Sequence, residues 1–155
     1  MEVKAVKPIS EKHGTGILKF TVSTSIKATL QEVWENVVKA ENIRQYFTVD
    51  AIGDLDKIGY VTWYWTSGAD LIRVLEVEEK KRIKFEWNGN NVDYKITCEF
   101  KFEEKDGKTI VRINEWGWEN NEKGIQSSYA NCSGWTEYLD TLKVFILYKI
   151  PFLKA

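Results

Sequence analysis

The sequence has few of the residues that most often carry covalent or metal chemistry. It contains two cysteines and one histidine in 155 residues. Cys98 and Cys132 are too few and too differently placed for a disulfide framework or a zinc site. The histidine, His13, lies near the amino terminus, so a Ser-His or Cys-His pair has no base within the patterned region. The sequence therefore predicts no metal ligands, no catalytic residues and no cofactor.

The sequence also lacks a strong excess of positive or negative charge, and it lacks long apolar runs. The formal net charge is −1 and the isoelectric point is near 6.0, so there is no basic excess to bind nucleic-acid phosphates. No apolar run approaches the roughly 20 residues that cross a bilayer, and the first residues lack the apolar core of a signal peptide. The P-loop and dinucleotide-binding glycine motifs do not occur. We expect a cytoplasmic protein with no nucleic-acid partner and no membrane span.

Aromatic residues, in contrast, are abundant, with seven each of Trp, Tyr and Phe. The longest helical pattern runs from Asn131 to Ile150, where Ser133 is expected to cap the helix and Pro151 to end it. The helix can also begin as early as Ile125. Its apolar residues recur at helical spacing and form one stripe: Trp135, Tyr138, Leu139, Leu142, Phe145 and Ile146. Such a stripe has to be covered by another part of the chain.

The residues before this helix alternate with a period of two and predict the covering sheet. Thr29 and Glu32 form a T-x-x-E capping box at the start of an earlier helix, and a shorter helix ends at Tyr46-Phe47. About six hairpin-linked strands follow by their spacing. The pattern predicts an α+β domain with a curved antiparallel sheet against one main helix.

The domain is expected to be single. Residues 15–150 carry the regular patterns, and residues 1–14 have mixed charge and no clean period. We expect residues 1–14 to be a loose lead-in, in which Val3, Val6 and Ile9 can still dock on the domain.

Four motifs resemble a known family. They are W-E-N-V-V at Trp34–Val38, I-K-F-E-W at Ile83–Trp87, D-G-K-T-I-V-R-I-N-E-W-G at Asp106–Gly117 and G-W-T-E-Y-L-D-T-L-K at Gly134–Lys143. From about Thr21 to Phe145 the chain is similar to the activator-of-Hsp90-ATPase-homologue domain, a branch of the START-like (Bet v 1-like, helix-grip) superfamily. The resemblance implies two short helices after the first strand, and a sheet that bends around the carboxy-terminal helix and encloses a cavity.

Two charged residues can face this interior. The even-numbered residues of Val92–Phe102 are expected to point inward, and across the following hairpin Ile113 and Glu115 share that side. Arg73 alternates with apolar residues of its own strand and can also point inward. A guanidinium and a carboxylate in one apolar pocket would orient a ligand with a polar head. The alternative is a bulge in one strand, which would turn both charges toward water.

Aromatic and apolar side chains would form the rest of the cavity wall. The predicted ligand-binding residues are Trp63, Trp65, Arg73, Phe85, Trp87, Tyr94, Ile113, Glu115, Trp135, Tyr138, Leu139 and Leu142. Such rings can stack on a ring or a lipid chain. The alternative is that they fill the core, at roughly 1.5–3 kcal/mol of burial each.

The sequence favours a non-catalytic protein that binds a small hydrophobic or aromatic ligand, lipid-like or ring-containing, between sheet and helix. The resemblance also implies two other functions. One is a chaperone-associated interaction module that stimulates an Hsp90-type ATPase. The other is a cyclase- or aromatase-like enzyme that uses the carboxylate of Glu115. The expected partners are thus a small hydrophobic molecule and a chaperone, and the expected assembly is a monomer or a homodimer.

Overall fold

The computed structural model describes residues 6–7, 12–13 and 18–154. Most of the predicted lead-in, including Val3 and Ile9, lies outside these residues. Val6–Lys7 forms a short strand, β1, that pairs in parallel with Ala69 and Asp70. The amide of Lys95 donates a hydrogen bond of 2.8 Å to the carbonyl of Lys12. The described parts of the lead-in therefore contact the sheet.

After β1, the described chain contains seven further strands and three α-helices. The strands are β2 (Leu18–Ile26), β3 (Asp50–Ile52), β4 (Gly59–Trp65), β5 (Gly68–Glu78), β6 (Arg82–Asn88), β7 (Lys95–Lys105) and β8 (Lys108–Trp118). The helices are α1 (Leu30–Val38), α2 (Ala40–Tyr46) and α3 (Glu122–Tyr148), and a 3-10 turn spans Phe152–Lys154. No helix in this described part is long and apolar enough to cross a membrane.

The strands form one curved antiparallel sheet in the order β2-β8-β7-β6-β5-β4-β3. Neighbours from β3 to β8 follow one another in sequence, as hairpin connections require. The exception is β2, which pairs with β8 so that Leu18 lies opposite Trp118 and Ile26 opposite Thr109. This sheet with its long carboxy-terminal helix confirms the predicted α+β, helix-grip fold.

The two main helices begin at polar caps. The hydroxyl of Thr29 accepts a hydrogen bond of 3.1 Å from the amide of Glu32, which is one half of the predicted capping box. Helix α3 begins earlier than Ser133, because the side chain of Asn121 accepts a hydrogen bond of 2.8 Å from the amide of Gly124. The prediction that Ser133 caps the helix is therefore wrong, since a better cap lies twelve residues upstream.

The core lies between the concave face of the sheet and the helices. The α3 stripe is buried there as its spacing predicts, with Trp135, Tyr138, Leu139 and Leu142 all at most 3% exposed. These side chains join one continuous apolar cluster that includes residues from α1, α2 and strands β4 to β8. Burial of α3 against the sheet therefore positions every side chain of the site described next.

Candidate functional site

A pocket of about 390 Å³ opens where the first half of α3 meets the ends of β4, β5 and β6. The described residues that line it are Phe47, Trp65, Asp70, Trp87, Asn88, Gly89, Asn90, Ala130, Asn131, Gly134, Trp135, Glu137 and Leu153. The volume is within the range of small-molecule sites in proteins. Among the described residues, room between sheet and helix is thus present at this end of the core.

Aromatic rings form the walls of this pocket. Trp65 is the last residue of β4, Trp87 lies near the end of β6, and Trp135 belongs to the buried stripe of α3. The rings of Trp87 and Trp135 have their centroids 5.7 Å apart, and those of Phe47 and Trp65 are 5.1 Å apart in an edge-to-face arrangement. Such ring contacts are favourable and hold the side chains in place. Trp65 and Trp87 stay partly exposed, whereas Trp135 is buried.

Small residues on α3 leave space opposite these rings. Ala130, Asn131 and Gly134 follow one another by one and three, so they share a face of the helix. A Cβ built at Gly134 would meet no heavy atom within 4 Å. The glycine therefore keeps this side of the pocket open.

Glu115 of β8 lies behind the pocket wall and is fully buried. Asn131 donates a hydrogen bond of 2.8 Å to its Oε1, and the indole nitrogen of Trp87 donates one of 2.9 Å to its Oε2. Burial raises the pKa of Glu115 to about 7, whereas hydrogen bonds from Asn131, Trp87, Trp135 and Cys98 lower it. The carboxylate connects three residues that line the pocket, although it is not itself among the described lining residues.

Cys98 of β7 faces Glu115 across the strand pair. Burial, together with the nearby carboxylate, raises the pKa of the Cys98 thiol well above its ordinary value. The thiol therefore stays protonated and acts as a donor to Glu115, not as a nucleophile.

Arg73 does not point inward, so its predicted place in the cavity is wrong. Its guanidinium is about half exposed and lies 3.3 Å from Glu86 Oε1, an oxygen that Lys95 Nζ also approaches to 3.2 Å. The reason is a bulge in β5: Val74 pairs with Phe85 but Val77 with Ile83, so one residue is extra. Val77 therefore faces inward as predicted. The residues before the bulge, including Arg73, face the side opposite to the predicted one.

Most other predicted site residues fill the core. Trp63, Phe85, Ile113, Tyr138, Leu139 and Leu142 are buried and belong to the main apolar cluster. The hydroxyl of Tyr138 lies 3.3 Å from that of Tyr46, and burial raises the pKa of both phenols. The indole N–H of Trp63 has no hydrogen-bond partner in the described chain. These residues support the pocket walls from behind.

Tyr94 lies elsewhere. It belongs to a second, smaller cluster with Val92, Ile96 and Trp118, and its hydroxyl accepts a hydrogen bond of 3.0 Å from the amide of Glu119. Tyr94 is buried together with Val92 and Ile96, as the alternation predicts, but it packs with Trp118 and does not line the pocket. Of the predicted residues, the pocket wall contains Trp65, Trp87 and Trp135.

Sequence reasoning missed several wall residues. Asn131 was not predicted as a wall residue because the helix was expected to start near it. Phe47 was not predicted because it belongs to the aromatic pair that ends a helix. The turn residues Asn88, Gly89 and Asn90 gave a clear hairpin signal, but a hairpin signal carries no information about a ligand. A polar Asn on the buried stripe of a helix was the one available signal, since such an amide needs a buried partner. Within the described residues no group of His, Cys, Asp and Glu side chains could hold a metal ion.

A comparison with protein-family models matches residues 27–146 to the family described as Activator of Hsp90 ATPase homolog 1-like protein. No curated protein matches the chain significantly in sequence.

Solved structures share the fold at low sequence identity. DynU16, a protein of the dynemicin biosynthetic locus, has 19% identity and a TM-score of 0.74 over 86% of this chain, which spans 48% of DynU16. Protein SSP2350 from Staphylococcus saprophyticus has 18% identity and a TM-score of 0.73, with 86% and 94% of the two chains covered. The Aha1 dimer from Colwellia psychrerythraea gives 17% identity and a TM-score of 0.68, with 84% and 96% covered. At these identities the likeness concerns the fold alone.

Proposed function

The chain belongs to the family of Activator of Hsp90 ATPase homolog 1-like proteins, and from this premise we propose that it binds a small apolar or aromatic molecule in the pocket beside α3. The observation that carries the proposal is the pocket of about 390 Å³ with the rings of Trp65, Trp87 and Trp135 in its wall. A concave, mainly apolar site with some polar groups is the usual form of a small-molecule site.

Binding has more support than catalysis. Both oxygens of Glu115 already accept hydrogen bonds, from Asn131 and Trp87. A general acid or base has to reach the proton that it transfers, at hydrogen-bond distance or through one water. Glu115 meets the pocket only through residues of its wall, so the arrangement favours a role in holding Asn131 and the indoles in place.

The chaperone partnership and the cytoplasmic location stay predictions. The family supports a chaperone-linked role, and the Aha1 structure from Colwellia psychrerythraea is described as a dimer. The described surface also exposes large apolar side chains, among them Ile52, Ile58 and Tyr60, which a protein partner could cover. The pocket offers a concave site with aromatic rings in its wall, which suits a small molecule. We therefore place ligand binding first.

Filling the pocket tests this proposal. The variant Gly134→Leu adds an isobutyl group where a Cβ meets no atom, so it should fold and occupy the pocket. We expect the wild-type protein to bind the neutral probe N-phenyl-1-naphthylamine with a rise in probe fluorescence. In Gly134→Leu the affinity should fall about tenfold or more, since each tenfold corresponds to about 1.4 kcal/mol of lost contact.

The matched control is Ser133→Leu, which adds the same side chain one position away, outside the described pocket wall. It should bind the probe as the wild-type protein does. Circular dichroism would establish that both variants are folded. Equal binding by all three proteins, or none by the wild-type protein, contradicts the proposal.

A further inference from the structure

The charged groups at the pocket wall all have the same sign. Among its described lining residues, Asp70 and Glu137 are the charged ones, and both are acidic. A third carboxyl group, Glu115, lies directly behind Trp87 and Asn131. Asp70 and Glu137 are therefore the charged groups that the described wall presents to a ligand.

The two carboxylates of the wall differ in their surroundings, because Lys7 of β1 lies opposite Asp70 in the sheet. Oδ2 of Asp70 accepts a hydrogen bond of 2.9 Å from the indole nitrogen of Trp65. Glu137 is exposed on α3, one turn after Gly134. Neither carboxylate pairs with a cation among the described side chains, whereas Glu76, for example, pairs with Arg82. The carboxylate of Glu137 can therefore attract a positively charged ligand.

The indole groups of the wall offer their ring faces and not their N–H donors. The N–H of Trp65 points to Asp70 and the N–H of Trp87 to Glu115, each over 2.9 Å. Trp135 also hydrogen-bonds Glu115 and lowers its pKa. An anionic ligand finds these donors already occupied. A cation, in contrast, is attracted by the negative faces of indole rings.

We propose that the pocket selects a ligand that carries a positively charged amine or quaternary ammonium group on an apolar or aromatic body. This inference rests on the proposed function and adds the class of ligand to it. The rings of Trp65 and Trp87, which are partly exposed, hold the apolar body and face the cation. The carboxylates of Asp70 and Glu137 lie at the wall to compensate its charge.

Three probes with one ring system and different charges test the inference. Tryptamine is a cation at neutral pH, 3-ethylindole is neutral and indole-3-propionate is an anion. Isothermal titration calorimetry with the full chain should give a tryptamine affinity about tenfold above that of 3-ethylindole, because the carboxylates of Asp70 and Glu137 attract the cation and each tenfold corresponds to about 1.4 kcal/mol. Indole-3-propionate should bind most weakly. Indole N–H signals in a proton–nitrogen NMR spectrum would show that the probes contact the pocket.

Removal of the two charges should remove the preference. The double variant Asp70→Asn, Glu137→Gln keeps an acceptor for the N–H of Trp65 and should bind tryptamine and 3-ethylindole within about threefold of each other. Asp140→Asn, on α3 but outside the described pocket wall, should keep the full preference. Equal or tighter binding of the neutral or anionic probe by the wild-type protein overturns the inference and leaves the apolar pocket in place. Failure of all three probes to bind overturns the proposed function as well.

Discussion

At the scale of single residues, the carboxyl group of Glu115 changes its proton affinity when the chain folds. Its pKa is about 7 in the folded protein, against an ordinary value of 4.5, because burial disfavours the charged form. Between these pH values the folded chain holds a proton that the unfolded chain has lost. The stability that this group contributes is therefore full below pH 4.5 and is lost as the pH rises to about 7.

We expect the free energy of unfolding to fall by about 3 kcal/mol across that range, since one pKa unit corresponds to about 1.4 kcal/mol. In Glu115→Gln, which has no charge to gain, the fall should be absent. Urea unfolding followed by circular dichroism at several pH values would measure both slopes.

Glu103→Gln is the control for this measurement. The hydrogen bond from Arg112 lowers the pKa of Glu103, so its contribution is lost only as the pH falls, below the range in question. This variant should keep the wild-type slope. A Glu115→Gln variant with the same slope as the wild-type protein would show that Glu115 is ionised throughout.

Residue orientation was predictable where the strand was regular. Alternation along β8 placed Ile113 and Glu115 on the inner side, where the structure has them. Alternation along β5 failed for Arg73, because one extra residue before Val77 reverses the sides. A period of two contains no signal for such a bulge, so the error could not be seen in the sequence.

At the scale of elements, α3 contains two glycines whose surroundings are opposite. A Cβ at Gly124 would lie 1.9 Å from the carbonyl oxygen of Glu119, where the chain turns into the helix. At Gly134 the same Cβ meets nothing within 4 Å. The first glycine is required by a close backbone approach, and the second weakens the helix that contains it.

The same substitution should therefore have opposite effects at the two positions. We expect Gly124→Ala to destabilise the protein by about 2 kcal/mol or more, because backbone has to move. Gly134→Ala should stabilise it by up to about 1 kcal/mol through helix propensity. The midpoints of urea unfolding of the two variants, compared with that of the wild-type protein, would measure both effects. A loss of stability in Gly134→Ala would mean that the pocket does not tolerate a methyl group.

Element boundaries were predictable to the extent that caps and turns are local. The Thr29 cap and the Asp106-Gly107 turn lie where the motifs indicated. The predicted starts of α3, at Asn131 or as early as Ile125, lie nine and three residues after its first residue, Glu122, because its first turns carry polar residues that resemble a loop. Its buried Ser127, Ser128 and Asn131 are satisfied by tertiary or local hydrogen bonds that hydropathy does not report.

At the scale of the whole molecule, the described helices and the sheet share one apolar cluster. Trp135 of α3 lies within 6 Å, centroid to centroid, of Trp87 on β6 and Phe100 on β7. A chain joined in this way should unfold in one step. We expect coincident thermal transitions in far-ultraviolet circular dichroism, which follows the backbone, and near-ultraviolet circular dichroism, which follows the aromatic core. Separate transitions would contradict the prediction of a single domain over residues 15–150.

The overall fold was predictable because periodicity and the family motifs are spread along the chain. The pocket was not, because its wall is assembled from a helix end, a hairpin turn, the face of α3 and the 3-10 turn after it. Whether aromatic residues such as Trp63 and Trp65 fill a core or face a space depends on a few ångströms of packing. No single segment of the sequence contains that information.

The pairing of β2 with β8 has a consequence for synthesis of the protein. Leu18 meets Trp118, so the first long strand waits for its neighbour until nearly the entire polypeptide has left the ribosome. Until then both edges of β2 are unpaired, because β8 is its one neighbour in the described sheet, and hairpins between β4 and β8 can form without it. Closing so large a loop is slow compared with hairpin formation. The nascent chain is therefore most exposed to self-association late in translation, just before α3 emerges and covers the aromatic face.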